Sequence, residues 1–302
     1  MKSKSAFVLA FLTFLPGTFL VAQEDNATAA EPEEARWSSF LPLHKELAEG
    51  RDLPLPFGIG FTGYWQEQGM KANSIGFDLD PTGLNPLLTT ISATATAKNV
   101  ESELDNYNAR VDAWILPFLN VYGVYGEVDG ENTASGLVLD ATTTATLTGL
   151  GVTLPSSFTF SYEGDVYGFG LILAGEWGRV WGTLDYNFTQ TDLDISTSEI
   201  DTSTLTPRLG VRGNLGGLQG SLWLGAMYQD IDEKQMGNLL FPATVGAATV
   251  NLPVAYDVRL QQDEQWNFLL GAAAELSEQW NLSLEGGFGD REQFMGNLTF
   301  RF

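Results

Sequence analysis

A chain of 302 residues with 15 Lys and Arg against 38 Asp and Glu carries a formal charge of −23 at pH 7, and such a surface repels nucleic-acid phosphates. It contains no Cys, which excludes disulfide staples and a lipid-modified cysteine anchor. Beyond residue 22 no apolar run approaches the roughly 18 residues that a membrane helix needs, while 33 Gly, 19 Phe, 9 Tyr and 8 Trp suit strands and tight turns.

The first 22 residues read as a secretory signal. Lys2 and Lys4 supply the positive start, Ala6 to Leu15 a short apolar core, Pro16-Gly17 a break, and Leu20-Val21-Ala22 a small-residue cleavage site. Ala27-Thr28-Ala29 offers a second such site. Residues 23–53 are acidic and then mixed, and read as a leader of the exported chain, either a small plug or a mobile tail.

From residue 54 onward the polarity alternates with a period of two, the mark of strands with one apolar face. Phe57, Ile59, Phe61 and Trp65 share the first face, and Tyr107, Ala109, Val111, Ala113 and Ile115 the second. Leu116-Pro117 turns into a third strand, Phe118–Val128, whose two faces are both apolar and which therefore has no assigned orientation. Tyr167, Phe169, Leu171, Leu173 and Trp177 form the fourth face; after Gly178-Arg179, Val180, Leu184, Tyr186 and Phe188 form the fifth. Leu205, Leu209 and Val211 follow, then the hairpin turn Asn214-Leu215-Gly216-Gly217, then Leu218, Leu222, Leu224 and Tyr228. One unbroken even phase runs from Val254 to Leu276, so either a very long strand projects beyond the membrane or a bulge hides inside Gln262–Gln265. Trp280, Leu282, Leu284 and Phe288 make the ninth face, and Phe294, Leu298, Phe300 and Phe302 the tenth.

The connections after the second, fourth, sixth and eighth strands are short. The alternate ones are long, apart from the last at Gly289. Trp177 and Trp280 lie beside short turns, and Trp65 and Trp266 farther up, as two interfacial belts would. With the closing strand on Phe302, the chain resembles the outer-membrane β-barrel proteins of Gram-negative bacteria. That resemblance implies an all-β, transmembrane, antiparallel up-and-down barrel over residues 54–302, with short periplasmic turns and long extracellular loops. About ten strands follow, or twelve if one of the segments Gly69–Val100 and Asp129–Asp165 hides a further pair, for example around Phe158, Phe160 and Tyr162. It also implies outer-membrane lipids and the barrel-assembly machinery as partners, the latter reading the terminal face of Phe294, Leu298, Phe300 and Phe302.

The phases place Arg110, Arg208, Arg212, Arg259 and Arg301 in the lumen, with Arg179 near its turn, opposite Asp112, Glu176, Asp185, Asp257, Glu275 and Glu285. No Lys falls in a predicted strand. Arg bonds carboxylates in pairs through its planar fork, so this balance reads as a packed ion-pair filling, with a charged constriction for small solutes as the rival reading. Acidic residues crowd the expected loops, including Asp129, Glu131, Asp192, Asp194, Asp230, Asp232 and Glu233. They read as solvated charge on a surface that could meet an extracellular ligand. No complete calcium-loop spacing occurs, and neither a metal nor a cofactor is expected. Nor is catalysis: the one histidine, His44, falls in the leader, and no nucleophile elbow or phosphate loop is present. The expected role is structural or in surface interaction. Deleting Phe302 should slow membrane insertion more than replacing Thr299 with Ala, because only the deletion interrupts the terminal aromatic face; yields of heat-modifiable protein compare the two.

Overall fold

A computed structural model describes residues 40–48, 53–79, 92–153, 155–194, 199–245 and 247–302. The expected signal segment, and residues 23–39 of the expected leader, lie outside the described residues. Fourteen strands and one α-helix are described: β1 (Phe57–Leu79), β2 (Ser92–Thr96), β3 (Asn99–Leu116), β4 (Leu119–Ser135), β5 (Val138–Leu139), α1 (Ala141–Gly149), β6 (Val152–Thr153), β7 (Ser157–Trp177), β8 (Val180–Leu193), β9 (Glu199–Leu215), β10 (Leu218–Val245), β11 (Ala248–Gln262), β12 (Trp266–Glu275), β13 (Trp280–Phe288) and β14 (Arg291–Arg301).

Every pairing is antiparallel, and the ladder closes on itself. The ring runs β1, β3, β4, β7, β8, β9, β10, β12, β13, β14 and back to β1. Closure leaves no unpaired edge in lipid, which a spanning sheet requires. The seam is held from Gly58↔Arg301 to Gln68↔Arg291. Beyond it Phe57 and Phe302 exchange backbone hydrogen bonds, and their rings stack with centroids 5.9 Å apart. The outside of the ring carries exposed Ile59, Phe61, Val111, Phe169, Leu209, Leu224, Phe268, Leu284 and Phe294. Tyr107, Tyr125, Tyr167 and Trp266 lie on the same outward face toward the long-connection end, and Trp177 and Trp280 flank the short turns. The inward faces carry Thr62, Gln66, Asp112, Asn120, Thr206, Asn267 and Glu285. A closed antiparallel ring with an oily exterior and a polar interior is a transmembrane barrel of the Gram-negative outer-membrane kind.

Only β12, β13 and β14, with 10, 9 and 11 residues, match the length that a tilted strand needs to cross. β1 has 23 residues, β7 21 and β10 28. These long strands continue well past the outer aromatic belt. The expected loops 69–100, 129–165 and 230–252 are thus largely strand. Phe158, Phe160 and Tyr162 belong to the upward continuation of β7 rather than to a separate pair.

Sequence reasoning misses these extensions because the alternation persists while its polarity reverses. In lipid the apolar face points out; in water it must point in. On β1, Thr62, Gln66, Gln68 and Met70 face inward, the register slips between Ala72 and Ile75, and Ile75, Phe77 and Leu79 face inward thereafter. On the paired segment β11–β12, Val254, Tyr256, Val258 and Leu260 are buried, whereas Trp266, Phe268 and Leu270 are exposed. The even phase from Val254 to Leu276 is therefore unbroken in sequence but changes sides at residues 263–265, where a break separates β11 from β12 in place of the single long strand or the bulge within it that the sequence left open.

Above the membrane these inward residues meet in one apolar cluster that includes Met70, Ile75, Phe77, Leu79, Val100, Phe158, Phe160, Val254, Tyr256, Val258 and Leu260. β11 pairs with β10 on one side and with β1 on the other, above the β13–β14 turn at Gly289. β2, β5 and β6 add short flanking pairings. The result is a water-soluble cap continuous with the barrel. Its outer face is acidic, with Asp105 opposite Asp129, Asp129 opposite Glu163, and Asp165 opposite Asp192. Such charge is costly in the hydrocarbon layer and so marks how far the strands sink. Ile75→Ala is expected to cost the cap roughly 2–5 kcal/mol. Hydrogen exchange should accelerate at Gly76 and Phe77 but not at Gly60 or Thr62.

Candidate functional site: the lumen

The inward faces assemble two linked charge clusters inside the ring. At the short-turn end, β3 supplies Arg110, Asp112 and Trp114, β4 supplies Asn120 and Tyr122, and β14 supplies Arg301. Arg301 Nη2 donates to Asp112 Oδ1 at 3.0 Å, and Asn120 Nδ2 donates to the same oxygen at 2.6 Å. Arg110 Nη2 donates to Asn120 Oδ1 at 3.0 Å, and its guanidinium lies 3.7 Å from the centroid of the Tyr122 ring. Arg301 also lies over Trp114, 6.0 Å from its centroid.

The second cluster is one step farther in. Arg208 grips Glu285 with two parallel bonds, Nε to Oε2 at 2.7 Å and Nη2 to Oε1 at 2.9 Å, and its Nη1 reaches Asp185 Oδ2 at 3.5 Å. Trp223 Nε1 donates to Glu285 Oε2 at 2.6 Å. Tyr122 joins the two clusters: its hydroxyl donates to Asp185 Oδ1 at 2.7 Å and accepts from Asn187 Nδ2 at 3.2 Å. Three Arg (Arg110, Arg208, Arg301) face three carboxylates (Asp112, Asp185, Glu285), so the linked clusters are neutral. A buried pair breaks even only when further donors meet its remaining lone pairs; the bidentate fork and the Trp223 and Asn120 donors do so at Glu285 and Asp112, whereas Arg110 Nε and Trp114 Nε1 are buried without a hydrogen-bond partner. Glycines make the room: a Cβ on Gly170 would run into the Tyr122 ring, and one on Gly271 into the Trp223 indole.

Other members of the expected network lie elsewhere. Arg212 and Glu176 pair at 3.2 Å on the short-turn rim, where both are substantially exposed. Arg179 and Glu275 are exposed beside the turns. Asp257 and Arg259 correct the expectation outright: they lie on the outside of the cap, and Arg259 pairs with Asp232 at 3.9 Å. The side change at residues 263–265 put them on the wrong face in the sequence reading.

Several interior residues escaped it. Arg291, 2% exposed, donates through Nε to Gln293 Oε1 at 2.9 Å and through Nη1 to Gln229 Oε1. Extending the odd phase of the last strand (Met295, Asn297, Thr299, Arg301) two steps back would have found it. Tyr122 lay in the strand with no assigned orientation, and the structure turns its odd-numbered face outward. Glu233, expected to be solvated, is buried above the outer aromatic belt, five residues past Tyr228. Its Oε1 accepts from Asn132 Nδ2 at 2.9 Å and from Gln235 Nε2 at 2.6 Å, and no cation among the described residues pairs with it. Burial pushes its carboxyl up to about 7 although both amide bonds pull the other way. Among the described residues no group of three or more acids or histidines is arranged to hold a metal ion.

Between the charge clusters and the Glu233 layer lies a polar chamber of about 380 Å³, lined by Thr62, Gln66, Asn106, Asn187, Thr204, Gln229 and Asn297 among others. Its walls offer hydroxyls and amides, with Arg208, Asp185 and Glu285 on one side and Glu233 on the other. His44 is exposed and bonds Glu46 at 2.9 Å outside the ring.

No family model matches the chain, and no curated protein matches it. Among solved structures, the transport unit of the autotransporter AIDA-I from Escherichia coli is 9% identical, with a TM-score of 0.36, covering 82% of this chain and 90% of its own. The β-domain of the Bordetella autotransporter BrkA is 12% identical, with a TM-score of 0.35, covering 83% of this chain and all of its own. A FadL homologue of Pseudomonas aeruginosa is 10% identical, with a TM-score of 0.29, covering 82% and 90%. These are outer-membrane barrels, but superpositions this loose carry no argument about function.

The raised Glu233 carboxyl sets a pH window. The unfolded chain releases this proton near the ordinary value of 4.5 and the folded cap only near 7. Stability is therefore full below the former and is lost as pH rises through the latter, by at most about 3 kcal/mol. Glu233→Gln should flatten the pH dependence of cap hydrogen exchange between pH 5 and pH 8.

Proposed function

We propose that this protein is a ten-stranded barrel, counting the closed ring alone, that anchors a folded β-cap at the cell surface and has a structural or surface-interaction role. The supporting observation is the apolar cluster above the lumen: Phe160, Tyr256, Val258 and Leu260 pack together over its outer end, where a channel would need a wettable opening. The neutral clusters around Asp112 and Glu285 narrow the other end. The short turns lie in the periplasm, and the acidic cap faces outward, where it is available to an extracellular ligand. Outer-membrane lipids cover the apolar band, and the terminal face of Phe294, Leu298, Phe300 and Phe302 is the handle for the barrel-assembly machinery. The reading includes no catalytic role.

The polar chamber supports a second reading, a narrow channel for small solutes. Planar-bilayer recording of the purified protein separates the two. The structural reading expects no steady conductance at high salt. Stable, salt-dependent steps whose size changes on Arg208→Ala would overturn it, because only a permeating path would sense that side chain.

A further inference from the structure

The cap contains a recess of about 360 Å³ between α1 and the extended β-sheet, separate from the lumenal chamber. Its sheet side is formed by Phe77 and Leu79 of β1 and Val254 of β11, each at most 6% exposed. Its other side is formed by Leu147 of α1 and by Val152. Every lining side chain is apolar, Ser or Thr. In a chain with 38 acidic residues whose cap is acidic outside, a recess of this size without a charge or an amide side chain has a specific chemistry.

The helix explains both the space and its uncharged lining. α1 reads ATTTATLTG, and only Thr143 and Leu147 are buried. Asp140 caps it, its Oδ1 accepting from Thr143 N at 2.9 Å. The hydroxyls of the threonines beside Leu147 in the lining, Thr144 and Thr148, bond within the helix. Thr144 Oγ1 donates to Asp140 O at 2.9 Å, and Thr148 Oγ1 to Thr144 O at 2.7 Å. Protein interiors leave few voids larger than a water molecule, and an apolar cavity of roughly 150 Å³ already admits benzene while excluding water. Small-molecule sites span roughly 300–1,000 Å³.

We infer that this recess is a binding site for a small, neutral, apolar molecule of monocyclic aromatic or short-chain hydrocarbon size. Recognition is by shape and apolar contact, so the site discriminates against charge: the lining offers a carboxylate no cationic or amide side chain. The site is independent of whether the lumen conducts.

The test uses the full chain in lipid nanodiscs with 4-fluorotoluene, followed by ¹⁹F NMR against nanodiscs without protein. A saturable bound resonance at one per chain is expected. Unlabelled toluene should displace it, and benzoate, of similar size but charged, should not, at tenfold higher concentration. Thr148→Trp, which fills the recess and keeps Leu147, should weaken binding at least tenfold, as should Leu147→Trp. Signal indistinguishable from partition into empty nanodiscs would overturn the inference, as would equal displacement by benzoate. Undiminished binding in a Thr148→Trp variant whose cap amides keep their hydrogen-exchange protection would do so too. The benzoate comparison needs only the wild-type chain, so it decides the ligand class even if neither variant folds.

Discussion

The governing constraint is a change of solvent along a single strand. A strand that leaves lipid for water keeps its pleat, but the face that may be apolar reverses, because outside the membrane only the interior excludes water. β1 meets this with a register slip between Ala72 and Ile75, and β11–β12 with the break at residues 263–265. β10 runs straight through and meets it by composition. Its odd-numbered residues stay inward from Trp223 and Met227 through Gln229 and Glu233 to Gln235, and Ala243 farther up is buried as well. One ladder therefore serves two proteins in effect, an inside-out barrel below and a conventional apolar-cored sheet above.

Between these regimes lies a layer suited to neither. Arg291 and Glu233 are both buried and bonded to amides rather than to each other. Glutamines fill the space: Gln262 accepts from Ile231 N at 3.1 Å and donates to Gln229 O at 2.7 Å. An amide can both donate and accept without carrying charge, which suits a boundary where an apolar core ends and ion pairs begin. Lower down, Arg208 ties β9 across the lumen to Glu285 of β13 and sideways to Asp185 of the neighbouring β8. The wall-to-wall bonds make the interior a strut rather than a lining.

Legibility in the sequence followed the membrane. Where lipid imposes the polarity, as in Phe57–Trp65, Tyr167–Trp177 and Phe294–Phe302, the alternation marked strand and facing together, and Arg208, Glu285, Asp112 and Arg301 came out on the correct side. Where water takes over, the same alternation read as loop, because the outward residues Asp129 and Glu131 resemble a polar connection unless their inward neighbours Asn132 and Ala134 are weighed with them. Asp257 and Arg259 failed for the complementary reason: a side change that leaves the parity of the apolar residues intact leaves no trace in the pattern. α1 left no amphipathic signal, since its threonines satisfy themselves and it packs mainly through Leu147.

The pairing of β11 with both β10 and β1 ties the two ends of the chain into the cap as well as into the barrel. β1 is the first strand of the ring, and β11 enters nearly two hundred residues later, yet above Gly289 they zip directly from Met70↔Gln262 to Leu79↔Val254. The cylinder is sealed lower down by β14 against the same strand. The cap is thus stitched across the cylinder's own closing line, and a chain whose first and last strands stand apart has half its roof on each side of the gap. Completion of the wall and completion of the roof are one topological event.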